Sequence, residues 1–218
     1  VGQLPAEQFP ALGKPPEVRH GFTTRAAGIE FTHDKAEALA RLEKVHREVR
    51  NDFGVGAASF ITAQQVHGNR VGVVDGTEVE NCFAECDGLI TNNAAVCLGI
   101  YVADCCAVYL VDPVRRAIGL VHSGKKGTEL GIASNAIRSM AEQFGSRASD
   151  LIVQLSPCIR PPHYEVDFAA EISSQCRALG VNQVHDSGVC TACDLTRYYS
   201  YRAEKGRTGR MLAFLALR

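Results

Sequence analysis

Tyr101–Thr128, YVADCCAVYLVDPVRRAIGLVHSGKKGT, constrains this chain more than any other stretch. Leading into it, Ala95–Val102 reads as a strand so nearly all apolar that it must be covered on both faces. That requires layers above and below a central sheet. Asp112–Arg115 reads as a tight turn centred on Pro113 and Val114, and symmetric pairing about it predicts Leu110 opposite Ala117 and Cys105 opposite His122. A thiol and an imidazole would then face each other with Cβ atoms about 4.5–5.5 Å apart. A slip of one residue would turn one of them to the other face. Two readings of Cys105 stand side by side: a small core residue, the commoner use of cysteine in so apolar a strand, or a functional thiol matched to His122.

The loop Gly124–Gly127 leads into a helix predicted from about Thr128 to Phe144. Ile132, Ala136, Ile137, Met140 and Phe144 form its buried stripe and Gly145 stops it. Backbone N–H groups and the ammonium groups of Lys125 and Lys126 gather at this loop, which suits an anion. The spacing is not that of a Walker loop.

With 218 residues the chain can bury roughly 70% of its unfolded surface without disulfide staples. No repeat, low-complexity tract or linker interrupts it, so residues 1–218 read as a single domain. The formal net charge is -1, from 23 basic and 24 acidic residues, so no global field recruits nucleic acid or an anionic membrane. No apolar run approaches the ~20 residues of a membrane span, and the first residues lack the pattern of a signal peptide. Nine cysteines, an odd number with two adjacent, do not make a secreted disulfide framework; the expectation is a cytoplasmic chain with reduced thiols.

Elsewhere, a proline-rich start precedes a strand near Val18–Thr24, and Arg25 follows in a loop of small residues, where it either grips an oxyanion or is a surface charge. Asp34 and Glu37 open a capping box for a helix packed through Leu39, Leu42, Val45 and Val49, on which His33 and His46 are expected to be solvated. Phe60–Thr62 and Arg70–Asp75 are strands flanking QQVHG, a turn that presents His67, although a lone loop histidine is usually ordinary surface. Gly88–Thr91, Ala95–Val102, Leu151–Leu155 and the last apolar segment are further strands, and Asp167 caps a helix carrying Phe168, Ile172, Cys176 and Leu179. Cys82, Cys86 and Cys97 read as small apolar fillers. Cys190 and Cys193 form a C-x-x-C with no second pair at ribbon spacing, which argues against a structural zinc.

Seven features in order, GFTTR at 21–25, QVHG at 65–68, DGLIT at 87–91, ADC at 103–105, His122 with Gly124 and Gly127, PCIRPPHYEV at 157–166, and SYR followed by TGR near the end, resemble the laccase-domain or YfiH-type family of multicopper polyphenol oxidases. Purine nucleoside phosphorylases of the same fold belong to that family. The resemblance implies an α+β fold, a layered α/β/β/α sandwich with mixed sheets akin to that of the cytotoxic necrotizing factor. It implies a zinc site, with copper as the alternative, made by His67, Cys105 and His122. Two imidazoles and a thiolate leave one tetrahedral position open, as in catalytic zinc sites. The implied activity is phosphorolysis of purine nucleosides, with deamination of adenosine as a second one; a carboxylate, Asp104 or Glu165, would move the proton, and Arg25, Lys125 and Lys126 would hold phosphate.

The chain departs from the family pattern where an aromatic-arginine pair is usual and Lys125-Lys126 stands instead, and in the short segment after Arg25, where Ala27 replaces a usual Gly. Lysine supplies neither the planar fork of arginine nor a stacking face. The oxidase label has little chemical support: there are seven histidines, no His-x-His pair, and only Met140 and Met211 as axial candidates for a blue-copper site. Two competing functions are a Cys105–His122 hydrolase or amidase acting on a peptidoglycan precursor, and a non-catalytic metal-binding protein.

Overall fold

The computed structural model describes residues 6–13, 18–56, 58–78 and 80–218. Among these, strands assemble into two six-stranded mixed sheets. The first runs in the order β1 (Ala6–Glu7), β2 (Val18–Thr23), β12 (Met211–Leu217), β7 (Val96–Val102), β3 (Ser59–Ala63) and β5 (Cys82–Phe83). The second runs β11 (Gln183–Asp186), β10 (Ile152–Leu155), β8 (Cys106–Asp112), β9 (Ala117–Ser123), β6 (Gly88–Thr91) and β4 (Val71–Val73). The expected strands are present, and β1, β5 and β11, of two to four residues each, are additions too short or too polar to show a period.

Alternation along the apolar strands builds the layers. In β12, Ala213 and Leu215 point inward to a cluster shared with Tyr109 and Val111 of β8 and Leu120 of β9, while Leu212, Phe214 and Ala216 point outward to Val49 of helix α1 (Lys35–Asp52). The outward side chains of β8, Cys106, Val108 and Leu110, meet α3 (Ile132–Phe144) and α4 (Phe168–Ala178). The result is the layered α/β/β/α sandwich. Tyr109, fully buried between the sheets, donates its hydroxyl to Gly21 O at 2.8 Å and ties one sheet to the other.

The central hairpin forms, with a different register. Asp112 pairs with Ala117, Leu110 with Gly119 and Ala107 with His122, so Cys105 is not directly opposite His122. The connection has four residues because the Asp112 carboxylate accepts the N–H groups of Val114 and Arg115, both at 2.9 Å, and Arg116 adopts a left-handed φ of 52° before β9 begins. The shift from the symmetric two-residue turn is two residues, which preserves faces. Cys105, just before β8, and His122 therefore still share the inner face as diagonal neighbours.

The helix predicted from Thr128 is also divided. A short α2 (Lys125–Glu129) ends at Leu130, Gly131 takes a left-handed φ of 70°, and α3 starts at Ile132; Gly145 ends α3 with φ 68°, as expected. Asp34 and Asp167 cap their helices by accepting the N–H groups of Glu37 and Ala170. Cys82 is exposed, unlike the buried Cys86 and Cys97, because it lies on the edge strand β5.

His46 is buried rather than solvated, since α1 turns it toward Tyr101, with ring centroids 5.6 Å apart; His33 is exposed. His20 is buried on Phe9, whose N–H it accepts at 2.9 Å. Burial holds both imidazoles neutral, each pushed down to about 4 from 6.5. The unfolded chain binds these protons first, so stability falls as pH drops from about 6.5 through about 4. By about pH 5 each histidine should remove roughly 2 kcal/mol. Urea unfolding at about pH 7.5 and about pH 5 measures this loss, and His46→Gln should remove about half of it.

Candidate metal centre

The QQVHG segment leaves β3 and is bent around two anchors. The Gln65 amide pairs with the main chain of Tyr101, donating to its O at 2.7 Å and accepting its N–H at 3.0 Å. Asp87, fully buried ahead of β6, accepts the N–H groups of Val66, His67 and Gly68 at 3.1, 2.9 and 2.7 Å. Three converging amides make a nest for its charge. They also hold His67 at a left-handed φ of 60°, which a loop histidine tolerates only when its surroundings impose it.

The same carboxylate reaches His122 of β9, whose Nδ1–H lies 2.8 Å from Asp87 Oδ1. This keeps a proton on Nδ1 and leaves Nε2 as the atom that can ligate once its own proton is released, the arrangement that orients ligating histidines. Burial would raise the Asp87 pKa, but the His122 and backbone hydrogen bonds outweigh it and hold it at about 2. Cys105 completes the group, and the donor atoms of His67, Cys105 and His122 all lie within 4.8 Å of one another. The two imidazoles stand edge to face with centroids 4.8 Å apart. Burial alone would push the Cys105 thiol up; His122 and His67 outweigh it by charge and hydrogen bond and bring it down to about 6. Conversely, burial would lower His122, but the Cys105 and Asp87 charges raise it to about 9. Thiolate and imidazolium are therefore paired, and one cation can replace the proton between them. A set of two nitrogens and one sulfur suits zinc or copper.

Gly124 makes room for the thiol. A Cβ there would lie 2.5 Å from Cys105 Sγ, while its φ of -102° is open to any residue, so the constraint is purely steric. Gly124→Ala should displace the thiol and lower metal affinity at this centre at least tenfold with little change in the thermal unfolding midpoint of the metal-free protein; chelator competition and a melt separate the two effects.

The triad lines a cavity of about 550 Å³. Tyr101, Tyr164, Phe168 and Tyr201 contribute its aromatic walls, and Lys35, Lys125, Arg202 and Arg210 its positive charge. Lys125 is thus at the cavity, whereas Lys126 and Arg25 do not line it. Arg25 stacks on Tyr199 at 4.5 Å, pairs with Glu204 at 2.7 Å and donates to Tyr198 O at 3.0 Å, bracing the GFTTR loop against the C-terminal segment. Asp104 borders the cavity with a left-handed φ of 81°, but both carboxylate oxygens are engaged: Thr191 Oγ1 donates to one at 2.7 Å and Arg202 N to the other at 2.7 Å. Glu165, exposed at the rim, meets Arg202 at 3.0 Å and Lys125 at 3.8 Å.

Fold and cluster together define a layered α+β protein with a His2Cys set at one end of its inter-sheet layer. The chain belongs to the family described as Multi-copper polyphenol oxidoreductase laccase, which it matches over residues 19–172 and 167–218. The purine nucleoside phosphorylase YlmD of Bacillus subtilis is 27% identical over 251 residues, spanning 93% of this chain and 89% of that protein. A purine nucleoside phosphorylase of Deinococcus radiodurans is 30% identical over 248 residues, spanning 98% and 93%. The crystal structure of YlmD from Geobacillus stearothermophilus has the same fold, with a TM-score of 0.84 at 24% identity over 94% of both chains.

Asp87, Lys35, Arg202 and Arg210 join the site only in the folded chain. Asp87, Arg202 and Arg210 lie within the DGLIT, SYR and TGR motifs, the one sequence signal they carry; Lys35 resembles any first-turn helix residue.

Proposed function

We propose that this chain cleaves purine nucleosides by phosphorolysis in the cavity above His67, Cys105 and His122. The observation that carries this reading is the meeting of three metal-binding side chains, an aromatic wall and a cationic wall in one cavity of ligand size. The phosphorylase names of similar proteins support it. A phosphate oxygen forms a bond to C1′ of the ribose while the bond from C1′ to the purine breaks, and the base leaves with the bonding pair and takes up a proton. Tyr101, Tyr164 and Tyr201 offer ring faces to the purine. Lys125, Lys35, Arg202 and Arg210 hold phosphate and balance its charge. Asp104 positions Arg202 through its backbone N–H, and Arg25 positions the segment that carries Tyr201. His67, Cys105 and His122 would hold zinc or copper, which when bound supplies Lewis acidity. The same cavity would admit deamination of adenosine, with Asp104, which lines it, or Glu165, which pairs with Arg202 and Lys125, as the carboxylate that moves the proton.

The test is metal analysis of the purified protein together with a nucleoside panel, with and without phosphate. Free base that appears only with phosphate supports phosphorolysis. Ammonia released without phosphate selects deamination, and bound metal with neither product selects a non-catalytic role. The paired Cys105 thiolate and His122 imidazolium also favour a second reading, a cysteine hydrolase. That enzyme would stay active in chelator and die on thiol alkylation.

A further inference from the structure

The geometry points to a second metal site, outside the cavity, in which His163, Cys190 and Cys193 bind one zinc ion and clip two loops together behind the cavity wall. Cys190 and Cys193 lack the second pair of a zinc ribbon along the sequence, but the fold brings an imidazole to them from 27 residues upstream. Cys190 Sγ and Cys193 Sγ lie 3.8 and 3.5 Å from the same atom, His163 Nδ1. All three donor atoms lie within 4.8 Å of one another. A tetrahedral zinc with bonds of about 2.3 Å to sulfur and about 2.05 Å to nitrogen spaces such donors about 3.6 Å apart. The observed distances bracket that edge with little rearrangement.

A neutral imidazole nitrogen accepts one hydrogen bond, so only one of two thiols converging on Nδ1 can donate to it; the Cys190 thiol has Arg160 O, 3.9 Å away, as its other acceptor. The cluster is not a piece of core: His163 and Cys193 are exposed and Cys190 is half-buried. Two thiolates and one imidazole around a cation satisfy all three donors at once, with the fourth position open to solvent.

The placement gives such an ion a structural task. His163 precedes Tyr164 and Glu165, which form part of the cavity wall and rim. Cys190 and Cys193 bracket Thr191, whose hydroxyl holds Asp104, the neighbour of Cys105. The two loops also meet through an isolated bridge between Cys158 and Cys190 with its flanking main-chain bonds, and through Arg160, which pairs with Asp186 and donates to Val189 O at 3.4 Å. A zinc clip would fix the wall on both sides of the cavity, and it does not depend on what the triad binds.

The reduced full-length protein is titrated with Zn²⁺, passed through gel filtration and analysed for metal. Wild type should retain two ions per chain, Cys190→Ser/Cys193→Ser one and His67→Ala one. In the His67→Ala background the remaining site is read alone by Co²⁺, whose thiolate charge-transfer band should vanish on adding Cys193→Ser. His163→Ala should weaken the second site at least about a hundredfold. With zinc bound, amide exchange in residues 160–167 should slow in wild type and not in Cys190→Ser/Cys193→Ser. Equal zinc content in wild type and the double-serine variant overturns the proposal. So does zinc lost from this site on gel filtration, or a Cys190–Cys193 disulfide formed while reductant is present. Failure of the triad to bind metal would appear instead as zinc that survives His67→Ala unchanged, which leaves the two ideas separable.

Discussion

His67→Ala should abolish metal retention at the His67–Cys105–His122 centre and nucleoside cleavage together while the protein stays folded. The side chain stands in an exposed turn and its backbone is held by Asp87, not by its ring, so removing the imidazole leaves the three amide bonds of the nest in place. What is lost is one of three donors within 4.8 Å. Metal-derived stabilisation of developing charge is worth several kcal/mol, so kcat/KM should fall by about a thousandfold or more. Metal content, steady-state phosphorolysis and circular dichroism of one preparation provide the check. A variant that keeps its activity and still ignores chelator would transfer the chemistry to the Cys105–His122 pair alone, since a thiol nucleophile with His122 as base does not need His67.

Asp87→Asn should be the most damaging of the near-isosteric substitutions. The carboxylate serves four donors at once: Val66 and Gly68 on one oxygen, His67 and His122 on the other. An asparagine presents an NH2 group to one of those pairs, so two N–H donors in a buried site lose their acceptor and meet another donor. Stranding buried donors costs about 1–3 kcal/mol each, and breaking a buried charge pair about 3–5 kcal/mol in all. For a chain of this length that corresponds to a fall of about 10 °C in the melting midpoint. His122 also loses the acceptor that sets its tautomer, so metal affinity should drop by about 10–100-fold. Scanning calorimetry and competition with a metal chelator read the two effects. A stable variant with normal metal affinity would show that the QVHG loop is held mainly by the pairing of Gln65 with Tyr101.

The pH response of the triad follows from the same geometry. Without metal, Cys105 and His122 form a charge pair because each holds the other in its ionised form. Binding a cation must release the His122 proton, so metal affinity should rise with pH as that proton becomes easier to remove.

The sequence by itself determined most of the elements. The nearly all-apolar Ala95–Val102 and the apolar Met211–Leu217 read as strands, while which of their side chains face inward was set by the partners. Asp34, Asp167 and Gly145 act as helix boundaries because capping is a local matter of one side chain or one φ. The hairpin pattern placed Cys105 and His122 on one face, and the resemblance added His67. The tertiary structure decided register and convergence. Hydrophobic period is blind to a two-residue shift, since every side chain keeps its face, so only the Asp112 turn and Arg116 set Ala107 opposite His122. His46 is buried because the first sheet covers its side of α1, and Arg25 is held because Glu204, distant in the chain, reaches it. Asp87 and the meeting of His163 with Cys190 and Cys193 have the same origin: several distant donors satisfied at one point, which is a property of packing and leaves no period in the chain.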